Sequence, residues 1–149
     1  MLKKGDQAPE FEGTDQNGNP IKSSDYKGKK FVLFFYPKAN TPGCTAEACD
    51  LRDHEDALKA KGYAIIGVSA DSVKRQKNFA DKFALKYPLI ADEDKKIIEA
   101  FGVWGPKKFM GREFDGILRT TFIIDANGII ENVIEKVKTK EHAKQILEL

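Results

Sequence analysis

An α/β fold with a mixed central sheet is predicted for this chain by three features of its sequence. The run Phe31-Val32-Leu33-Phe34-Phe35-Tyr36 is apolar with no polar face, the pattern of a strand covered on both sides. From there to about Phe101, strand-like and helix-like segments alternate, as they do where helices cross over a parallel sheet. Later, Asn127-Gly128 precedes an alternating run, which signals an antiparallel hairpin.

The elements follow in order. Glu10 to Thr14 and Ile21 to Ser23, separated by the turn-forming Asp15-Gln16-Asn17-Gly18-Asn19-Pro20, pair as a short N-terminal hairpin. After the central strand comes a loop from Pro37 to Gly43. A helix is expected from about Thr45 to Lys61, rich in Ala, Glu, Leu and Lys and closed by Gly62. Tyr63 to Ala70 reads as a second buried strand. Asp71 or Ser72 caps the next helix, in which Phe79 and Phe83 lie one turn apart on one face. Pro88 breaks the chain, Leu89 to Ala91 is a short strand, and Asp94 to Phe101 a short helix. Gly102 to Leu118 shows no period and holds Gly102, Gly105, Gly111, Gly116 and Pro106; it reads as a long irregular segment of the kind that often serves function. Arg119 to Asp125 and Ile129 to Lys136 are partner strands. Thr139 caps a last helix with Ala143, Ile146 and Leu147 facing in. A βαβ start joined to a ββα end is the thioredoxin-like arrangement, here with an N-terminal hairpin added.

Composition narrows what such a fold is for. At 149 residues and 41% hydrophobic, residues 1–149 fit one domain with a real core. The 25 basic and 23 acidic residues leave a formal charge of +2, with no basic stripe for nucleic acid. The longest apolar run, Phe31 to Tyr36, is far short of the ~20 residues of a membrane span. Met1 to Asp6 has two lysines but no apolar stretch behind them, so a cytoplasmic location is the default expectation. No Gly-rich phosphate loop and no haem or flavin signature is present, and no cofactor is expected.

The chain has two cysteines, Cys44 and Cys49, within six residues of each other and beside Pro42-Gly43. They can be buried thiols that pack as small hydrophobes. A structural disulfide is not expected in a reducing compartment. The clustering favours chemistry. Cys44 falls near the first turn of a helix that follows a buried strand, where free N–H groups and the helix dipole favour the thiolate, and the thiolate is the nucleophilic form. Thr41, three residues earlier, has a hydroxyl that both accepts and donates. It can orient a small oxygen-bearing substrate beside the sulfur. Pro37 and Pro42 stiffen the loop.

Pro37-x-x-x-Thr41-x-x-Cys44 matches the active-site motif of peroxiredoxins, and Tyr36 through Thr45 resembles the subgroup called bacterioferritin comigratory protein, or peroxiredoxin Q. The resemblance extends over nearly the whole chain. It takes in Gly5-Asp6-x-Ala8-Pro9-x-Phe11, Gly67-Val68-Ser69, Gly102-Val103-Trp104-Gly105, Met110-Gly111 and Arg119-Thr120-Thr121-Phe122-Ile123-Ile124-Asp125. It implies that Cys44 is the peroxidatic cysteine of a hydroperoxide reductase. It implies that Thr41 and the backbone N–H groups of Gly43 and Cys44 hold the peroxide. Arg119 matches the family's arginine from a distant strand. Read alone it would be a surface residue at a strand end. As a guanidinium near Cys44 it would stabilise the thiolate and the charge that develops during reaction. Thioredoxin or a similar dithiol protein is the implied reductant, and a monomer is the state common in the subgroup.

Attack on a peroxide leaves a sulfenic acid, which a second thiol condenses with to form a disulfide. Cys49 is the only other thiol. On an intact helix, residues five apart lie about 140° apart and roughly 8.6 Å between Cα atoms. A disulfide needs about 6.8 Å or less. A Cys44–Cys49 bond therefore requires residues from about Thr45 to Leu51 to unwind. The alternative is that Cys49 stays a thiol and an outside thiol resolves Cys44. Two other readings compete. A general thiol–disulfide oxidoreductase would usually carry Cys-x-x-Cys, not the Cys-x-x-x-x-Cys found here. A metal-binding module would have to gather Cys44, Cys49 and His54 from a spacing that scatters them around a helix. His54 and His142 read as exposed helix residues, and Asp50, Arg52, Asp53, Glu55 and Asp56 as a solvated helix face. Trp104, Lys107 and Met110 form either a wall near the site or ordinary packing.

Overall fold

The computed structural model describes residues 1–149. Its centre is the strand β3 (Lys30–Phe35), whose side chains are buried on both faces. Alternation along β3 divides the core. Val32 and Phe34 point to one side, and Phe31, Leu33 and Phe35 to the other. On the first side lie the helices α1 (Pro42–Asp53), α2 (Glu55–Ala60), α3 (Val73–Phe83) and α5 (His142–Leu147), which contribute Ala48, Leu51, Leu58, Phe79, Ala143 and Ile146. On the second lie α4 (Lys96–Ala100) and the N-terminal hairpin β1 (Glu12–Thr14) and β2 (Pro20–Lys22), with Phe11, Ile21, Ile97, Ile98 and Phe101. A strand so enclosed has no polar face to show, which is why the sequence there is uniformly apolar.

The remaining strands of the sheet are β4 (Tyr63–Ser69), β5 (Leu89–Ala91), β8 (Thr120–Ile124) and β9 (Ile130–Ile134). Their order is β5-β4-β3-β8-β9. The β3, β4 and β5 pairs are parallel and joined through helices; β8 runs antiparallel to β3 and to β9. This is the mixed sheet and thioredoxin-like order that the sequence predicts. The N-terminal hairpin pairs Glu12 with Lys22 and Thr14 with Pro20. Ser72 caps α3, its hydroxyl accepting from Arg75 N at 3.1 Å, and the Phe79 and Phe83 rings pack edge to face.

Gly67 explains one of the shared sequence segments. A Cβ built there would lie 2.9 Å from Phe34 Cζ and 2.9 Å from Leu89 Cδ2, both in fully buried side chains. Only a residue without a side chain lets these two meet across β4. Gly67→Ala is expected to lower stability by about 1–3 kcal/mol through overpacking, read as a fall in the denaturant midpoint.

Five expectations change. The helix expected from Thr45 to Lys61 starts earlier, at Pro42, and breaks at His54, whose ring Nδ1 lies 2.8 Å from the Asp50 carbonyl that its own N–H also reaches at 3.2 Å. Residues 102–118 are not irregular: β6 (Trp104–Phe109) and β7 (Arg112–Ile117) form a hairpin turning on Met110 and Gly111, both at positive φ. Such a two-residue turn needs left-handed residues at both positions. The hairpin carries little apolar alternation because its tip stands in solvent and its half-covered positions are Gly105, Lys107 and Gly116: Phe109 and Phe114 are exposed, and Met110 is 86% exposed. Thr139 does not cap α5, which begins after Glu141 and receives an acceptor from α1 instead: Asp50 Oδ2 accepts from Ala143 N at 2.8 Å. Asp50 is thus a tie between helices and not part of a solvated face. His142, expected at the surface, is fully buried under that tie.

Candidate active site

Cys44 stands at the third position of α1. Thr41 is the N-cap, Pro42 has no N–H to leave unpaired, and the N–H groups of Gly43 and Cys44 lie in the first turn, where no intrahelical acceptor exists. The loop that delivers this turn is tethered to the end of β4. Ala39 N donates to Asp71 Oδ2 at 2.7 Å, and Ser69 Oγ donates to the same oxygen at 2.7 Å. Behind them Gln76 Nε2 donates to Ser69 Oγ, and Tyr36 OH donates to Gln76 Oε1. Asn40 takes a left-handed turn, a conformation Asn tolerates. Pro37 is half-buried at the head of the loop.

Arg119 reaches this turn because β8 is antiparallel to β3. Thr120 is registered opposite Phe35, so the residue before it lies over the exit of β3, where the loop to Cys44 begins. Arg119 Nη2 lies 3.3 Å from Cys44 Sγ, and Nη1 lies 2.6 Å from Glu47 Oε1. The guanidinium also crosses Gly43, where a Cβ would come within 3.2 Å of Nη2. Burial works against its charge, but Glu47 and Cys44 outweigh that effect and raise its pKa further. The sulfur is nearly closed off, with Cys44 only 1% exposed. Thr41 is at the rim, half-exposed; its hydroxyl donates to Lys38 O at 2.7 Å, which leaves its lone pairs free to accept.

The structure therefore brings Thr41, Gly43, Cys44 and Arg119 together at one helix end. Cys49 stays apart on intact α1, and both thiols are free. Burial raises the Cys49 thiol pKa, only partly countered by Arg52. Sequence reasoning passed over Glu47, which is fully buried one turn after Cys44. Its position three residues on places it on the same helix face, which is the signal that was there to use. Of the three residues suggested as a wall, Lys107 is at the site: burial lowers its pKa, as does Arg119, while Cys44 partly restores it. Its Nζ is held on Ile117 O at 2.8 Å. Met110 is neither wall nor packing but the tip of the hairpin, and Trp104 lies at the surface beneath Lys95 Nζ. A cleft of about 460 Å³, lined by Phe11, Tyr26, Phe31 and Asn127, is at the other end of the sheet from Cys44.

Residues 4–133 match the model of the AhpC/TSA family. The chain belongs to that family, as a peroxiredoxin. It is 47% identical over 146 residues to peroxiredoxin Bcp of Escherichia coli, covering 98% of this chain and 94% of the relative. Among solved structures, a cysteine-to-serine variant of PrxQ from Xylella fastidiosa superposes with a TM-score of 0.92 at 30% identity, covering 99% of this chain and 94% of that one. The bacterioferritin comigratory protein of Xanthomonas campestris, solved in work on its alkyl peroxide reduction activity, gives 0.86 at 33% identity, covering 93% and 88%. The chain is thus a peroxidase, an oxidoreductase that acts on hydroperoxides through a thiol. No helix is long and apolar enough to cross a membrane.

Proposed function

We propose that Cys44 is the peroxidatic nucleophile, that Cys49 resolves it as an intramolecular disulfide, and that thioredoxin or a similar dithiol protein restores both thiols. The observation that carries this reading is the Arg119 Nη2 contact on Cys44 Sγ, made at a helix N-terminus. A thiolate there faces a permanent cation and free N–H groups. The peroxide enters between Thr41 and Arg119. The Thr41 hydroxyl and the Gly43 and Cys44 amides orient the oxygen under attack, and Arg119 stabilises the one that departs. Sulfur bonds to the nearer oxygen, the O–O bond breaks, and water or an alcohol leaves after taking up a proton. A sulfur so enclosed admits a narrow hydroperoxide head, with room for a longer tail only outside the rim. Hydrogen peroxide and organic hydroperoxides both fit, and the alkyl peroxide activity of the Xanthomonas campestris relative supports the second. Every group in this scheme comes from one chain, which suits a monomer, and the resolving step suits a cytoplasm that regenerates dithiols.

The test uses the native chain. One equivalent of hydrogen peroxide added to the reduced protein is expected to remove both thiols, with a Cys44–Cys49 cross-linked peptide recovered from a monomer. Thioredoxin should then sustain peroxide consumption, while insulin is not reduced. Recovery of Cys49 in alkylatable form from an oxidised monomer would sink the intramolecular scheme.

A further inference from the structure

Arg119 sits between two acids. One of its terminal nitrogens faces Cys44 Sγ and the other Glu47 Oε1. Lys107, the other cation near the sulfur, is held on Ile117 O and does not reach Glu47, so if both acids were ionised one guanidinium would be the only group to contact two anions. The far oxygen of the carboxyl, Glu47 Oε2, is buried and has no hydrogen-bond donor. The nearest polar group beyond it is His142 Nε2 on α5, at 3.6 Å, too far for a hydrogen bond.

His142 does not supply a cation there. Its Nδ1 lies 2.9 Å from Gln145 Oε1. The amide of Gln145 is fixed in orientation, because its Nε2 donates to Lys136 O and its Oε1 also accepts from Lys138 N. Nδ1 must therefore carry the ring proton, which leaves Nε2 to accept from the Thr121 hydroxyl at 2.7 Å. Burial lowers the imidazole pKa, with Gln145 opposing it only in part, so the ring is neutral around pH 7. Asp50, beside His142, is engaged with Ala143 N. Tyr87, the remaining titratable group near Glu47, is a neutral phenol donating to Ala48 O. Arg119 is the one compensating charge that Glu47 has. Burial outweighs it and pushes the Glu47 carboxyl up to about 7.

We infer that Arg119 carries a single counter-anion throughout peroxide reduction, with Cys44 filling that place before oxidation and Glu47 after it. The inference rests on Cys44 as the peroxidatic thiol. The state that reacts pairs the Cys44 thiolate with a protonated Glu47. The reaction turns thiolate, hydroperoxide and protonated Glu47 into sulfenic acid, alcohol or water, and ionised Glu47. The S–O bond forms and the O–O bond breaks. Sulfur gives up two electrons, the peroxide gains them, and the departing oxyanion takes one proton while Glu47 loses one. Net charge in the buried site stays constant. Glu47 touches neither sulfur nor substrate; it is a positioning residue that acts through Arg119, and it balances the proton.

The experiment counts protons. Full-length Cys49→Ser protein, which halts at the sulfenic acid, is mixed with one equivalent of hydrogen peroxide in weak buffer containing a pH indicator, between about pH 6 and about pH 9, on either side of the Glu47 value. The thiolate fraction at each pH is read beforehand from its ultraviolet absorbance, with Cys44→Ser as blank. Without an internal acid, proton uptake equals the thiolate fraction. The expected result is an uptake well below that fraction near neutrality, rising to meet it at the alkaline end, where Glu47 is already ionised. With Glu47→Gln added, uptake should equal the thiolate fraction throughout. The infrared difference spectrum on oxidation should lose a protonated carboxyl band when Glu47 is present. Uptake equal to the thiolate fraction at every pH with Glu47 in place overturns the inference, as does a deficit that survives Glu47→Gln. If Glu47→Gln does not fold, the infrared band decides: its absence overturns the inference, and its loss on oxidation upholds it. Failure to form a sulfenic acid on Cys44 at all would instead remove the peroxidatic role of Cys44, and this inference with it.

Discussion

Arg119→Met is expected to lower the rate constant for peroxide oxidation of Cys44 by roughly 10²–10³-fold, the loss typical of removing a preorganised donor from developing negative charge. The variant keeps the aliphatic stem and removes both contacts that the guanidinium makes, at 3.3 Å on Cys44 Sγ and 2.6 Å on Glu47 Oε1. The thiolate loses its cation, and the departing oxygen loses its donors. The fold should survive. Glu47 is left without a counter-charge, but burial already pushes its carboxyl up to about 7 against the pull of Arg119, and without that pull it rises further and stays protonated, so no charge is stranded in the core. Arg119→Lys should fall between the two. It keeps the charge but is a point donor that cannot face the sulfur and the carboxylate at once. Stopped-flow oxidation of the reduced proteins, with Cys44→Ser as the zero-rate reference, measures this. A rate within twofold of native for Arg119→Met would show that the contact on Cys44 does not drive the reaction.

The parts of this molecule that were legible in sequence share one property: their residue types are costly anywhere else. A six-residue apolar run such as Phe31 to Tyr36 has no stable place but a strand covered on both sides. The Thr41, Cys44 and Arg119 constellation was read as a motif, and the antiparallel register of β8 on β3 supplies the geometry that the motif presupposes. What escaped was polar and inside. In α1 the buried residues are Cys44, Glu47, Ala48 and Leu51, so a helix whose inner face includes a carboxylate shows little amphipathic contrast. Apart from the spacing of Glu47 from Cys44, nothing in the sequence marks Glu47 or His142 as buried, because their partners Arg119 and Thr121 are far away in sequence and meet them only through the sheet and α5. The β6–β7 hairpin escaped for the opposite reason. With its tip in solvent and glycine or lysine at its half-covered positions it has no apolar period to reveal it, and its Met110-Gly111 turn lacks the Asn-Gly signature that exposed the later hairpin.

Cys49→Ser is expected to consume one equivalent of peroxide in a fast phase at the native rate, with no turnover supported by thioredoxin. Cys44 and Cys49 share an unbroken α1, and a regular helix holds positions five apart at roughly 8.6 Å between Cα atoms, beyond disulfide reach. Joining them means undoing what fixes that helix. Tyr87 OH donates to Ala48 O at 2.7 Å, Ala143 N to Asp50 Oδ2 at 2.8 Å, and Arg52 Nη1 to Phe83 O at 2.7 Å, while Ala48 and Leu51 are fully buried. At about 1 kcal/mol for each net hydrogen bond, the unwound form is a minor state that the sulfenic acid must wait for. In the native chain, disulfide formation should therefore proceed at a rate independent of peroxide concentration, following a first step that depends on it. Serine at position 49 removes the trap for the unwound state, so the sulfenic acid persists and excess peroxide carries it on to the sulfinic acid, detectable by mass. Sustained turnover by Cys49→Ser at the native rate would mean that an outside thiol resolves Cys44 and that α1 need not open.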